Sequence, residues 1–518
     1  MLPPPLMPPM PKCSDRPLVL VVAGLDSGGG AGVTADCLSV HDNGAFALPA
    51  VTCLTAQSLR AVQGVLNTPQ EFFARTLELA ASDWERIAAV KVGLVGSGAL
   101  LGELLDFLDR RLPGVAVVWD PVLTATAGRL DSADLRSRLG EVLRHVSILT
   151  PNLPEALELA GWTSAELAER GMAQLCRVFL DAGARSVLIK GGHQAQAEQA
   201  CDHFASAEVS FTMSYPRRPG DGAHGGGCAL SAALAAHLAC GYALQDAAVL
   251  AKAYVTQGIY EPALAAEEAR PPIGHHGLPQ RLLYYPRVHE EGFPDHDYGF
   301  ARTPHALGLY PVVPDVEWLE RLLDLGVKTL QLRIKDPQAP QLAAHIARAV
   351  ELGRRHQARI FIDDHYELAM QCGAYGVHLG MEDLRTADLQ RLRASGLHLG
   401  VSTHGPYEML KAWQLCPSYI ALGHVFPTRT KAMPSPPQGV AHVALQAQLL
   451  GGKVPLVAIG GIKYEQAAAL MEAGVGSIAV VTALTDIGDE AQLQQAVREW
   501  LHVVGDGGAE DGAAELPA

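Results

Sequence analysis

The 518-residue chain contains no C-x-x-C pair, although it carries nine cysteines. Their odd number and wide scatter exclude a disulfide framework and a zinc knuckle and fit a reducing compartment, so the cytoplasm is the expected location. There is no apolar run of membrane-spanning length, and the opening MLPPPLMPPMPK lacks the apolar core of a signal peptide. Residues 1–16 therefore read as a disordered proline-rich lead and residues 505–518 as a disordered acidic tail. Positive charge is also short. Forty Lys and Arg against 55 Asp and Glu leave a formal charge of -15, which argues against nucleic acid or a membrane surface as the main partner. Small-molecule substrates remain. The length suits two large domains or three smaller ones, and 48% hydrophobic residues is ample for their cores.

One stretch organises the first half: GDGAHGGGCALSAALAA, beginning at Gly220. Gly225, Gly226 and Gly227 run into Cys228 and then an alanine-rich helical pattern. Glycines let successive backbone N–H groups turn inward as an anion-binding nest, and the helix start adds partial positive charge. A phosphate fits there, and the same field favours the thiolate of Cys228 as a base beside a transferring phosphoryl group. The competing reading is a glycine turn with a half-buried cysteine.

Upstream, LVLVVAG from Leu18 reads as a buried strand broken by LDSGGGAG before a helix. Apolar strands follow at 89–95, 115–119, 147–149 and 186–189, with helical patterns between them. This alternation predicts a mostly parallel sheet covered by helices on both faces. Asp120, Asn152 with Glu155, and Lys190 fall at strand ends, where open α/β sheets place ligands. Each taken singly is also a common turn or cap residue. Together with the glycine nest they are the parts of a Mg-ATP phosphotransferase. His193 reads as structural.

AGLDSGGGAGVTAD, TCLTAQ, VKVGLVGS, WDPV, LTPNLPEA, LIKGGH and HGGGCALSAALA occur in order over residues 18–261. In these the first half resembles the ribokinase-like vitamin kinases, specifically the hydroxymethylpyrimidine/phosphomethylpyrimidine kinases. The resemblance implies a three-layer α/β/α domain over 17–265 that uses ATP and Mg²⁺. It implies Asp26 and Gln57 against the pyrimidine ring, Cys228 as catalytic base, Gly225 to Gly227 as the anion hole, Asn152 and Glu155 organising Mg-ATP, Lys190 on the phosphates, and a homodimer through this domain. The sequence departs from the family at Gly222, Ala223 and Gly226, which replace an asparagine and two threonines, and at Leu25, which replaces a serine. A pyridoxal-type kinase is the alternative within the same fold.

Residues 266–305 lose all periodicity and collect prolines, glycines and five histidines, His275, His276, His289, His296 and His305, which reads as a solvated linker rather than a metal site. From Ala306 a strand-then-helix alternation repeats eight times in LGLYPVV, TLQLRI, RIFIDD, YGVHLG, HLGVST, YIALGH, PLVAIGG and SIAVV. A TIM (β/α)8 barrel over 306–504 is expected, with its site at the strand C-termini. Gln331, Arg333 and Lys335, spaced by two, share one face of an extended chain and call for an anion. Asp363, Asp364 and Asp383 converge on the same rim as a hard-cation cluster for Mg²⁺. Thr428, Thr430 and Lys431 in GHVFPTRTK suit phosphate oxygens. Gly460-Gly461 and Val481-Thr482 form the last two loops, the usual phosphate site of this fold.

QLRIKD, IDDHYELA, GVHLGMEDL, LGVSTH, ALGHVFPTRTK and VAIGGI make this half similar to the thiamine-phosphate synthases. The resemblance implies Mg²⁺-assisted loss of pyrophosphate from a pyrimidine diphosphate and capture of the cation by thiazole phosphate. Arg333, Lys335 and Lys431 would bind pyrophosphate, Asp364 and Asp383 the metal, Ser402 the pyrimidine, and Thr428, Thr430, Gly461, Val481 and Thr482 the thiazole phosphate. Asp363 stands in place of the family's asparagine and Met381 in place of its glutamine. The product of the first half is the substrate of the second, so the expected enzyme is bifunctional in thiamine biosynthesis. The reading from another class is that one half has become a structural or ligand-sensing module.

Overall fold

A computed structural model describes residues 16–58, 61–83, 86–123, 132–192, 198–217, 224–264, 271–429, 435–505 and 507. These residues divide into two compact units between Glu291 and Gly292.

The first unit is built on a ten-stranded sheet. Its strands are β1 (Leu18–Asp26), β2 (Phe46–Gln57), β3 (Val62–Asn67), β4 (Ile87–Val92), β5 (Ala116–Trp119), β6 (Ile148–Leu149), β7 (Ser186–Ile189), β8 (Gln199–Ser206), β9 (Ser210–Pro216) and β10 (Arg287–Glu290), in the order β10-β9-β8-β7-β6-β5-β4-β1-β2-β3. The centre, β2 to β7, is parallel, as the apolar runs predict. The edges β3 and β8 to β10 are antiparallel. Those edges escaped sequence reading because half-buried strands such as QACDHFAS mix polar and apolar residues. Leu20, Val22, Val90, Val92 and Trp119 lie in the core with the helices that cover the sheet. Each fully buried aliphatic side chain there contributes about 2 kcal/mol. Strand order reverses at β1 and β4, and the alanine-rich helix Gly226–Ala239 packs against both. Its small side chains permit that close approach on nearly every face.

The expected linker is corrected. Within 266–305, β10 pairs antiparallel with β9, His275 Nδ1 lies 2.6 Å from the Tyr254 hydroxyl, and His289 Nε2 lies 3.0 Å from Ser214 Oγ. Tyr284 and Tyr285 are buried. From Pro271 to Glu291 this segment is a strap on the first unit, held by side chains whose partners lie far away in sequence. Aperiodic sequence carries no signal of such docking.

The second unit is the expected barrel. β11 (Gly308–Val313), β12 (Thr329–Leu332), β13 (Arg359–Asp363), β14 (Gly376–Leu379), β15 (His398–Thr403), β16 (Tyr419–Leu422), β17 (Leu456–Ile459) and β18 (Ser477–Val480) pair in parallel, and β18 closes on β11. Tyr310, Phe361 and Tyr419 fill the interior, with ring centroids 5.2 to 5.9 Å apart. The barrel interior is a packed core, and its C-terminal mouth holds a cavity. The start of the expected acidic tail is part of this unit, because Leu309 N donates to Gly505 O and Arg359 to Gly507 O. Among the described residues no helix is long and apolar enough to cross a membrane.

Candidate functional site

In the first unit the strand ends bring the expected residues together. Gly225 caps the helix Gly226–Ala239 in the left-handed region, φ 82°, and a Cβ there would lie 1.8 Å from Gly30 O. Only glycine fits that contact between the two glycine turns. Gly226, Gly227 and Cys228 are then the first three helical residues, whose N–H groups have no acceptor within the helix. The stretch expected to form the anion hole is thus a helix N-terminus preceded by one left-handed residue.

Lys190 faces this end. A Cβ on Gly227 would lie 3.1 Å from Lys190 Nζ, which in turn donates to Asp120 Oδ1 at 2.6 Å. Burial alone would lower Lys190, but the Asp120 and Glu155 carboxylates outweigh it and hold the ammonium above its ordinary value. Asn152 and Glu155 form a reciprocal capping box on the helix Leu153–Ala160: Glu155 N donates to Asn152 Oδ1 at 2.9 Å, and Asn152 N to Glu155 Oε2 at 2.8 Å. The cap reading of these two residues is therefore correct as geometry. Burial, with Asp120 nearby, pushes Glu155 up to about 7 against the pull of Lys190.

The thiolate expectation for Cys228 is corrected. Burial pushes its thiol up to about 11; Lys91 pulls it down, Asp36 and Asp120 push it up, and the Gly32 N–H lowers it. Desolvation and two carboxylates thus outweigh Lys91 and the Gly32 N–H. Lys91 and Asp36 were not anticipated. They form a fully buried ion pair, Nζ to Oδ2 2.6 Å, both side chains 0% exposed. The only signal was a lysine inside the apolar strand VKVG.

Asp26 and Gln57 are each tied to the Ser27–Gly28 turn. Gly28 N donates to Asp26 Oδ1 at 2.8 Å, and Gln57 N to Ser27 Oγ at 2.8 Å. His224 joins them with Nε2 3.2 Å from Asp26 Oδ2. Its place beside the glycine triplet was the only available hint. Gly222, Ala223 and His193 lie outside the described residues.

The mouth of the barrel holds a cavity of about 1220 Å³. Gln331, Arg333, Lys335, Asp363, Asp364 and Asp383 line it, as do Ser402, Thr428, Gly460, Gly461, Val481 and Thr482. Thr430 and Lys431 lie outside the described residues.

The three-carboxylate cluster is corrected. Asp363 accepts from Gln331 Nε2 at 2.6 Å and from Arg333 Nε at 2.8 Å, so it serves an amide and a guanidinium of its own wall. Among the described residues no group of three His, Cys, Asp or Glu side chains surrounds a single metal position. Burial and the neighbouring Asp364 push Asp363 up to about 7, opposed by Arg333 and reinforced by Asp383. Asp364, with φ 61°, and Asp383 remain at the mouth. Two carboxylates fit Mg²⁺, which usually takes one or two together with substrate phosphates.

Several lining residues were not anticipated. His404 Nδ1 donates to Glu408 Oε2, 2.8 Å away, and burial, with His404 adding, lowers His424. His378 contacts Ser402 Oγ at 2.7 Å through Nε2. A histidine in the otherwise apolar strand GVHL was the available signal.

The two units have the folds of a small-molecule transferase in two parts: a kinase-type α/β/α unit with a glycine triplet at a helix start, and a barrel whose mouth gathers cations, carboxylates and hydroxyls. Residues 26–273 match the family model for phosphomethylpyrimidine kinase, and residues 309–484 the model for thiamine monophosphate synthase. The thiamine-phosphate synthase of Cronobacter sakazakii is 56% identical over 207 residues, 40% of this chain and 98% of that protein. The phosphomethylpyrimidine kinase structure from Clostridium difficile is 29% identical and covers 47% of this chain and all of its own, with a TM-score of 0.40. A pyridoxal kinase structure from Staphylococcus aureus is 24% identical over 53% of this chain and 99% of its own, TM-score 0.47. The chain belongs to the thiamine-phosphate synthase family and carries a phosphomethylpyrimidine kinase domain ahead of it, which makes it a bifunctional enzyme of thiamine biosynthesis.

Proposed function

We propose that the first unit transfers phosphoryl groups from Mg-ATP to hydroxymethylpyrimidine and then to its monophosphate, and that the barrel joins the resulting diphosphate to thiazole phosphate. Asp26, Gln57 and the neighbouring His224 hold the pyrimidine. The N–H groups at Gly226 to Cys228, with Lys190, stabilise the transferring phosphoryl oxygens. Asp120 holds Lys190 in place, and Asn152 and Glu155 organise Mg-ATP. Cys228 takes the alcohol proton. Its high ordinary state means that this transfer needs the ammonium of Lys91 close by and the nucleotide's charge neutralised.

In the barrel Arg333, Lys335 and Lys431 bind the diphosphate, with Asp364 and Asp383 holding Mg²⁺, which neutralises phosphate oxygens when bound. Departure of pyrophosphate leaves a cation on the pyrimidine methylene, which the thiazole nitrogen captures. The protein's part is electrostatic and positional. Thr428, Thr430, Gly461, Val481 and Thr482 seat the thiazole phosphate, and Ser402 contacts the pyrimidine.

One observation supports this reading most: the cations following β12 and the carboxylates following β13 and β14 share one cavity with the glycine and threonine loops of β17 and β18. The working location is the cytoplasm, with small molecules as partners. A second copy of the chain associates through the edge strand β3, where Leu66 is 67% exposed beside Leu54. The test is to incubate the purified chain with ATP, Mg²⁺, hydroxymethylpyrimidine and thiazole phosphate. Thiamine phosphate is expected, and its absence would overturn the reading.

A further inference from the structure

A string of buried polar groups runs up the inside of the barrel. The Tyr310 and Tyr419 hydroxyls are 2.8 Å apart, Tyr419 OH lies 2.7 Å from His378 Nδ1, and His378 Nε2 lies 2.7 Å from Ser402 Oγ at the cavity. Tyr310 and Tyr419 are wholly buried and His378 is 6% exposed. The sequence builds space for the string: a Cβ on Gly400 would lie 2.1 Å from the Tyr419 ring. Burial drives both tyrosines upward, so each hydroxyl keeps its proton.

The direction of the string follows from counting protons. A buried hydroxyl proton without an acceptor is costly. Among the described residues the Tyr310 hydroxyl meets only Tyr419, so Tyr310 donates to Tyr419. Tyr419 must then pass its own proton to the remaining partner, His378 Nδ1. Were Nδ1 itself protonated, in a cationic or reversed imidazole, the Tyr419 proton would have no acceptor. With Nδ1 accepting, Nε2 carries the imidazole proton and donates to Ser402 Oγ. The Ser402 proton is left for the cavity.

We propose that Tyr310, Tyr419 and His378 are positioning residues that fix Ser402 as a hydrogen-bond donor, so that the substrate atom it meets is a bare acceptor, a pyrimidine ring nitrogen or a diphosphate oxygen. This rests on the synthase reading of the barrel. It sets specificity, since a substrate presenting N–H at that point would face a proton.

The test has three arms on the full-length enzyme. The ¹⁵N spectrum of histidine-labelled protein, with His378 assigned by the signal lost in H378N, is expected to show the Nε2–H imidazole; an Nδ1–H or doubly protonated ring overturns the proposal. Tyr419→Phe frees the ring to reverse, and about a tenfold rise in KM for the pyrimidine diphosphate is expected, the loss of about one hydrogen bond, with KM for thiazole phosphate unchanged. Unchanged constants for both substrates overturn it. In Ser402→Ala, weakened inhibition by inorganic pyrophosphate identifies a diphosphate oxygen as the acceptor, and unchanged inhibition with raised pyrimidine KM identifies the ring nitrogen; if both inhibition and KM stay unchanged, the proposal is overturned. The spectrum needs no turnover. A wild-type chain that makes no thiamine phosphate sinks the synthase reading, while the tautomer still decides the string's direction.

Discussion

Arg333 Nε sits 2.8 Å from Asp363 Oδ2, so a guanidinium expected to meet pyrophosphate already faces a carboxylate of its own wall. Asp363 is pushed up to about 7, chiefly by burial. As pH falls through about 7 the carboxyl takes up a proton, and the negative charge opposing an incoming diphosphate disappears. Inhibition by inorganic pyrophosphate is therefore expected to tighten between about pH 8 and about pH 6. In D363N that part of the pH dependence is lost, and inhibition at about pH 8 is tighter by about three- to tenfold. Equal pH profiles for the two proteins would show that Asp363 does not compete for Arg333. Linkage has the matching sign: with the folded group above the ordinary carboxylate range, its contribution to stability is present at low pH and is lost as pH rises through about 7.

Replacing Cys228 by alanine separates the two activities. Loss of a general base is worth about 10²- to 10⁴-fold, so diphosphate formation is expected to fall by that factor. Condensation of supplied pyrimidine diphosphate with thiazole phosphate stays at its wild-type rate. Because the thiol is pushed up to about 11, alkylation of the Cys228 peptide in the free enzyme is expected to be slow near neutral pH and to accelerate toward alkaline pH. Rapid neutral alkylation of that peptide would contradict the burial argument.

The Lys91–Asp36 pair is fully buried, and removing one partner strands the other. Lys91→Met is expected to cost about 3–5 kcal/mol in denaturant unfolding of the first unit, whereas the double change D36N with K91M recovers most of it. A single variant as stable as wild type would mean that water reaches Asp36.

The edge strand β3 carries exposed Leu66 opposite Leu54 of β2. Leu66→Glu is expected to shift sedimentation from a dimer to a monomer with both activities of each chain retained. A wild-type chain that sediments as a monomer removes the prediction.

Much of this was legible in sequence because it depends on local pattern. The apolar runs at β1, β4, β5 and β7 and the eight barrel strands carry their own periodicity, and strand-end polar residues such as Asp120, Lys190, Arg333 and Asp364 follow from it. The antiparallel edge β8 to β10 and the strap around Tyr284 and Tyr285 were not legible, because their stability comes from partners distant in sequence. The Asn152–Glu155 box illustrates both sides. Its N-x-x-E spacing is visible, but only geometry shows the two side chains bonding the backbone of their own helix start.

The sequence by itself determined the two α/β architectures, the phosphate chemistry of each half and the order in which they act, since each depends on residue type, spacing and strand-end position. Tertiary structure decided the charge state and direction of the groups. Burial, with Asp36 and Asp120 adding and Lys91 opposing, raises Cys228 instead of lowering it, Asp363 pairs with Arg333 of its own wall, and the hydrogen-bonded string Tyr310–Tyr419–His378 underlies the proposed direction of Ser402. Desolvation and hydrogen-bond direction are properties of the space around a residue, and that space is assembled from strands far apart along the chain.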